Sequence, residues 1–196
     1  MTATIPGPVG TTAAAPEAPR RPSLSPSRAA DFKSCPLLYR FRTIDRLPER
    51  RSRAAVRGTL VHTVLERLYD LPPAERTVAA ARDLVGPAWA ELRAEPGVGE
   101  LFAEGGDPSD GPPGETVETW LNSAGRLVET YFRLEDPRRI QPEGREQLVE
   151  VTLSDGLLLR GYVDRLDVAR NGALRVVDYK TGAIPREAFE SKALFQ

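Results

Sequence analysis

The 196 residues are 40% hydrophobic and 28% charged with a formal net charge of −1, a balance that reads as one soluble globular domain. No apolar run approaches the ~18 residues of a membrane-spanning helix, so none is expected. Cys35 is the single cysteine, which rules out an internal disulfide and fits a reducing, cytoplasmic setting.

Residues 1–22, "MTATIPGPVGTTAAAPEAPRRP", lack the apolar stretch of a secretory signal and read as a disordered Pro/Ala/Thr-rich tail. Residues 20–57 carry 11 Arg and Lys against 3 Asp and Glu. Such a segment suits an anionic partner such as a phosphate backbone, and a solvated basic helix surface accounts for it equally well. Structure is expected from Ser25, an N-cap with Pro26 at the first helical position. Phe32, Leu37, Leu38, Tyr39 and Phe41 are apolar anchors interrupted by Pro36. "RLPERRSRAAVR" reads as a loop entering the helix "RGTLVHTVLERLYDL", with Thr59 as its cap and Pro72-Pro73 as its stop. Leu60, Val61, Val64, Leu65 and Leu68 form its buried stripe, and His62 lies on the margin with Glu66 one turn on. Residues 77–94 are helical, split near Gly86-Pro87. "EGGDPSDGPPGE" is a loop, and Val117 to Phe132 form a long amphipathic helix.

Near residue 146 the pattern changes. "EQLVEVTL", "LLLRGYVDRLDVA" and "ALRVVDYK" read as an antiparallel meander joined at "SDG" and "NG". The expected organisation is residues 23–145 mainly helical and 146–196 sheet plus the start of a following helix. With Asn171-Gly172 as a two-residue turn, Arg170 pairs with Ala173 and Asp164 falls opposite Tyr179, one step from Asp178 and Lys180. A bulge or longer loop would bring Asp164 opposite Asp178 or Lys180. Carboxylates this close repel unless a cation lies between them, and hard oxygen ligands suit Mg2+ or Mn2+. Lysine is scarce, since 24 of the 27 basic residues are Arg. At Lys180 a compact ammonium can orient or help deprotonate water, which a guanidinium does poorly. A purely structural Asp–Lys pair at a strand end is the competing reading.

"GTLVH", "VEVTL", "GYVDRLD" and "VVDYKTG", in that order, resemble the RecB-family exonucleases of the PD-(D/E)XK nuclease superfamily, as do "FKSCPLLYRFR" and "KALFQ". The resemblance spans residues 23–196. It implies a restriction-endonuclease-like α/β core with helical additions, and metal-dependent DNA exonuclease activity in repair or recombination. By this resemblance His62, Asp164, Asp178 and the Tyr179 carbonyl hold Mg2+ or Mn2+, and Lys180 is catalytic. Glu150 is an auxiliary acid, and Gln196, Arg40 and Arg42 contact DNA. In relatives, a cysteine at the place of Cys35 is the first ligand of an iron–sulfur cluster. The other three cysteines are absent here, so a cluster is expected only in a full-length parent, and the chain reads as C-terminally truncated. A catalytically weak DNA-end-binding module, or a partner of a helicase subunit, is the alternative.

Overall fold

A computed structural model describes residues 23–103 and 110–182. Gln196, the expected tail 1–22 and part of the 104–115 loop lie outside the described residues. The architecture is mixed α/β, a four-stranded sheet with flanking helices.

Strand β1 (Ser23–Leu24) leads into α1 (Pro26–Ser34). Ser25 caps that helix by accepting from the Arg28 backbone N–H at 3.4 Å, with Pro26 in its first turn. Pro36 ends the run and starts α2 (Pro36–Tyr39), and a π-type turn follows at Arg40–Ile44. Helix α3 (Arg53–Leu68) begins seven residues earlier than Thr59 as a cap would allow. Ser52 is the cap, accepting from Ala55 N–H at 3.1 Å, and the Asp110 carboxylate accepts from Arg53 N–H at 2.9 Å. Both satisfy donors that a helix start leaves open.

The expected split in the next helix occurs between α4 (Val78–Asp83) and α5 (Val85–Arg93). Pro87 has no N–H for the Asp83 carbonyl, so the break falls one turn ahead of it. Helix α6 (Val117–Leu134) opens with a Thr116–Thr119 capping box. The core lies among α3, α5 and α6, where Leu60, Val64, Leu68, Trp120 and Val128 are fully buried. Arg76, also buried, donates to the carbonyls of Tyr69, Leu71, Pro137 and Ile140 and so ties the end of α3 to the approach to the sheet. No helix among the described residues is long and apolar enough to cross a membrane.

The central strand is β3 (Leu158–Val168). Antiparallel β2 (Gly144–Thr152) flanks one edge. The other edge is shared, with β1 parallel at Leu158–Leu159 and β4 (Leu174–Val177) antiparallel from Arg165 onward. The β1 pairing is an element that sequence patterning missed, because two residues carry no periodicity.

The β3–β4 turn differs from the expected two-residue form. Ala169 N–H donates to Ala173 O and Gly172 N–H to Ala169 O, both at 2.8 Å, giving a three-residue loop with Gly172 at φ 82°. The β2–β3 turn repeats this arrangement at Leu153–Leu157 with Gly156 at φ 86°. Glycine enters the left-handed region without a Cβ clash, so it serves this loop as readily as the tighter one. The observed register pairs Arg165 with Val177 and Asp167 with Arg175. One further step aligns Asp164 with Asp178 rather than Tyr179.

Because α3 is seated through its buried stripe, Leu60→Ala is expected to lower unfolding free energy by about 2–5 kcal/mol, the usual cost of such a cavity. Urea denaturation checks this, and an unchanged midpoint would contradict the packing described.

Candidate functional site

Three elements converge on one point. Helix α3 presents His62, β2 presents Glu146 and β3 presents Asp164. One ligating atom from each lies within 4.8 Å of the others. His62 Nδ1 is 3.6 Å from Asp164 Oδ1 and 3.8 Å from Glu146 Oε1.

The other ring nitrogen is committed, since His62 Nε2 lies 2.7 Å from the Tyr179 carbonyl oxygen. A carbonyl only accepts, so Nε2 must carry the proton. In the neutral ring, the Nδ1 lone pair then faces two carboxylate oxygens. That arrangement is repulsive until a proton or a metal cation lies between them. Metal-ligating histidines commonly use this geometry, donating the second N–H to a carbonyl.

Tyr179 makes a second contact, its backbone N–H donating to Asp164 Oδ2 at 2.5 Å. Asp164 is thus held by the chain segment that follows β4, and its side chain is only 10% exposed. Glu146 stands directly across β2–β3 from Asp164, between the pairs Arg145–Arg165 and Gln147–Val163. Its φ is 43°, unusual for a residue with a Cβ. Arg145 clamps the start of β2 to α3 by donating to the Glu66 carbonyl and, at 2.8 Å, to Asp70. Burial, with the neighbouring Asp164 charge second, pushes the Glu146 carboxyl above the usual carboxylate range. A recess of about 380 Å³, lined by Gly58, Thr59, His62, Glu66 and Glu146, adjoins the imidazole.

The sequence-predicted residues divide. His62, Asp164 and the Tyr179 carbonyl come together. Asp178 is paired with Lys180 at 2.7 Å, with side chains 45% and 55% exposed. Glu150 lies four residues along β2 from Glu146, about 13 Å at strand rise, and its nearest cation is Arg160 across the ladder at 3.6 Å. The acid at the cluster is therefore Glu146, which the sequence reading missed. Arg40 pairs with Asp45 at 3.1 Å, and Arg42 with Asp31 and Glu49 at 2.8 Å. Cys35 is exposed between α1 and α2.

A second group missed in the sequence underlies the site. The Arg165 side chain is 0% exposed. It donates to Glu135 Oε1 at 2.5 Å and Oε2 at 3.0 Å, and to Asp167 Oδ1 at 3.0 Å. The hydroxyls of Tyr69, Tyr131 and Tyr179 surround it at 2.8–3.0 Å. Burial pushes Glu135 upward, but its hydrogen bonds from Arg165 and Tyr131 outweigh that and hold it below the usual range. Burial also raises all three tyrosines, so they stay protonated.

A four-stranded mixed sheet carrying a His/Glu/Asp cluster that could hold a metal ion, next to an Asp-x-Lys strand end, is the layout of a nuclease of the restriction-endonuclease type. The family model of the PD-(D/E)XK nuclease superfamily matches residues 23–196, and the chain belongs to that superfamily. The chain is also similar to Gene 69 protein of Mycobacterium phage D29, at 29% identity over 185 residues, covering 86% of this chain and 66% of that relative. It thus spans just under two thirds of the relative's length.

The Glu146 shift has a signed consequence. A carboxyl whose folded pKa is raised contributes stability that is complete below the unfolded value and lost as pH rises through the folded one. In EDTA, Glu146→Gln is therefore expected to stabilise the protein at neutral pH, with the gain vanishing near pH 4 and below. Thermal melts across that range check it, and a destabilised variant at neutral pH would contradict the crowding of negative charge.

Proposed function

We propose that this protein is a divalent-metal-dependent DNA exonuclease of the RecB type, hydrolysing phosphodiester bonds in repair or recombination in the cytoplasm. The observation that carries this reading is the His62 Nδ1 edge facing the Glu146 and Asp164 carboxylates. One imidazole and two carboxylates form a donor set that suits Mg2+ or Mn2+. A cation held there supplies charge neutralisation at the phosphate and activation of water.

In this proposal His62, Glu146 and Asp164 form the binding edge. Asp178, one residue past the last β3–β4 pair and paired with Lys180, is assigned to this edge by the family resemblance. The Tyr179 carbonyl meets His62 at Nε2, on the ring edge away from Nδ1, so it orients the imidazole and does not ligate a cation held at the Nδ1 edge. Lys180 exchanges its bond to Asp178 for the attacking water, which it orients, and offsets the charge that builds on the phosphate. The ion pairs of Arg40 and Arg42 are solvent-screened and weak, so a phosphate backbone displaces their carboxylates at little cost. Gln196 is assigned to DNA by the family resemblance alone.

The second reading is a DNA-end-binding module with weak catalysis, acting beside a helicase subunit. Its support is the mutual Asp178–Lys180 pairing at the exposed strand end. Digestion of linear DNA under Mg2+ and Mn2+ titration separates the two. The exonuclease reading expects metal-dependent release of nucleotides that Asp164→Ala abolishes while DNA binding survives. Binding without cleavage at any metal concentration would favour the second.

Lys180→Arg keeps the charge but loses the compact, tunable donor. Turnover is expected to fall by ~100-fold or more, the scale at which general acid–base groups act. Cleavage within a few-fold of the unmodified protein would reduce Lys180 to a point charge.

A further inference from the structure

Strand β3 has an interrupted edge. On the side away from β2, its pairing with β1 ends at Leu159 and its pairing with β4 starts at Arg165. Ser25 and Pro26 turn the chain off into α1, and the Pro26 Cδ lies 3.5 Å from where a Cβ on Gly161 would stand. A recess of about 580 Å³ opens at this fork, with Ala29, Arg160, Gly161, Tyr162, Asp164 and Val176 in its lining. Among the described residues, no strand pairs with residues 160–164 on that side. Backbone donors and acceptors of β3 therefore remain available to a ligand there.

Alternate residues of a strand share a face, so Arg160, Tyr162 and Asp164 form one row with a step of about 7 Å. They are a cation, an aromatic ring and a member of the candidate metal cluster. Tyr162 is 65% exposed, and the surface around it is apolar. Its cross-strand neighbour Leu148 is exposed, as is Val176, which lies on the same face opposite Leu166. A tyrosine standing in water beside a recess offers a π-face on which any nucleobase can stack. The Arg160 ion pair with Glu150, at 3.6 Å, is solvent-screened, so a phosphate displaces it readily. Arg160 at one end of the row, and α1 of the basic 20–57 segment as a wall, favour a polyanion over an apolar partner.

We propose that this recess is a subsite for one unpaired nucleobase of the DNA strand. The base stacks on Tyr162, Arg160 holds a phosphate further along, and Asp164 lies at the phosphate to be cleaved. The strand it selects is one that can turn a base out, single or frayed, because a base paired within a closed duplex does not reach the ring. This deepens the exonuclease reading and rests on it for the placing of the scissile phosphate. The binding measurements that test it need no cleavage.

Fluorescence anisotropy in EDTA, where no metal-dependent cleavage intervenes, measures binding alone. The probes are a short labelled oligothymidylate, an abasic oligomer with the same phosphates, and a duplex closed at both ends by non-nucleotide linkers. Tyr162→Ala should weaken oligothymidylate binding roughly 10-fold or more, the scale of one base stacked on a ring, and leave the other two probes unchanged. Tyr162→Phe keeps the ring and should retain the affinity. Arg160→Gln should weaken both single-stranded probes alike and reduce the salt slope by about 0.7, the value of one phosphate on a single strand. An unchanged slope overturns the role of Arg160. Unaltered oligothymidylate binding in Tyr162→Ala, an equal loss on the abasic oligomer, or no binding by the unmodified protein overturns the proposal. Self-association that Tyr162→Ala abolishes and oligothymidylate leaves intact would give the face to a second copy, and overturn it too. If the binding results hold but neither Mg2+ nor Mn2+ brings cleavage, the nuclease reading fails and the base subsite stands.

Discussion

The buried Arg165 guanidinium is the interaction on which the rest of the structure depends. A charge taken out of water is tolerated only when fully paired, and truncating one partner of such a group typically costs about 3–5 kcal/mol. Here the partners come from every layer. Glu135 follows α6, Tyr69 ends α3, Asp167 lies two residues on along β3, and Tyr179 belongs to the Asp-x-Lys segment. Arg175, opposite Asp167 on β4, adds a second positive charge against the same two carboxylates. Two guanidiniums and two carboxylates thus balance, and the helical layer is joined to the sheet at one place. Arginine suits this place better than lysine, because its flat fork meets Glu135 and Asp167 at fixed angles together.

The site is a by-product of that joint. Consecutive residues of a strand point to opposite faces, so "VDR" in β3 sends Arg165 into the cluster and Asp164 toward His62. Tyr179 repeats the division within one residue, with its ring in the interior and its backbone at the site. Gly58 adds a close approach, because a Cβ there would come within 3.2 Å of the Thr181 hydroxyl. The "GTLVH" helix can therefore lie against the "DYKTG" turn. The negative charge gathered at Glu146 and Asp164 has only the His62 edge against it within the cluster, and the Glu146 carboxyl is raised first by burial and then by the Asp164 charge.

Much of this was legible beforehand, for physical reasons. Apolar periodicity exposes α3 and α6, and Ser25-Pro26 announces a helix start. Glycines at 156 and 172 mark the two hairpins. The loop is the longer of the two forms left open, because Asn-Gly serves both two- and three-residue loops and only the strands' packing chooses between them. Glu146 was hidden because nothing in a glutamate signals a left-handed backbone, whereas Glu150 stood out within the alternating "VEV". Arg165 looked like one more charge on a strand, since burial of an arginine depends on partners as distant in sequence as Tyr69. The basic bias of residues 20–57 is a fact of composition, which does not carry the pairing of Arg40 with Asp45 or of Arg42 with Asp31 and Glu49.

The most direct test of the account is an anomalous difference map from crystals of the metal-free protein soaked in Mn2+. The expected result is a peak bonded to His62 through Nδ1 and to the carboxylates of Glu146 and Asp164, with Nε2 still against the Tyr179 carbonyl. Manganese bound through Nε2, or no peak at the three residues while Mn2+ occupies other sites, would contradict it.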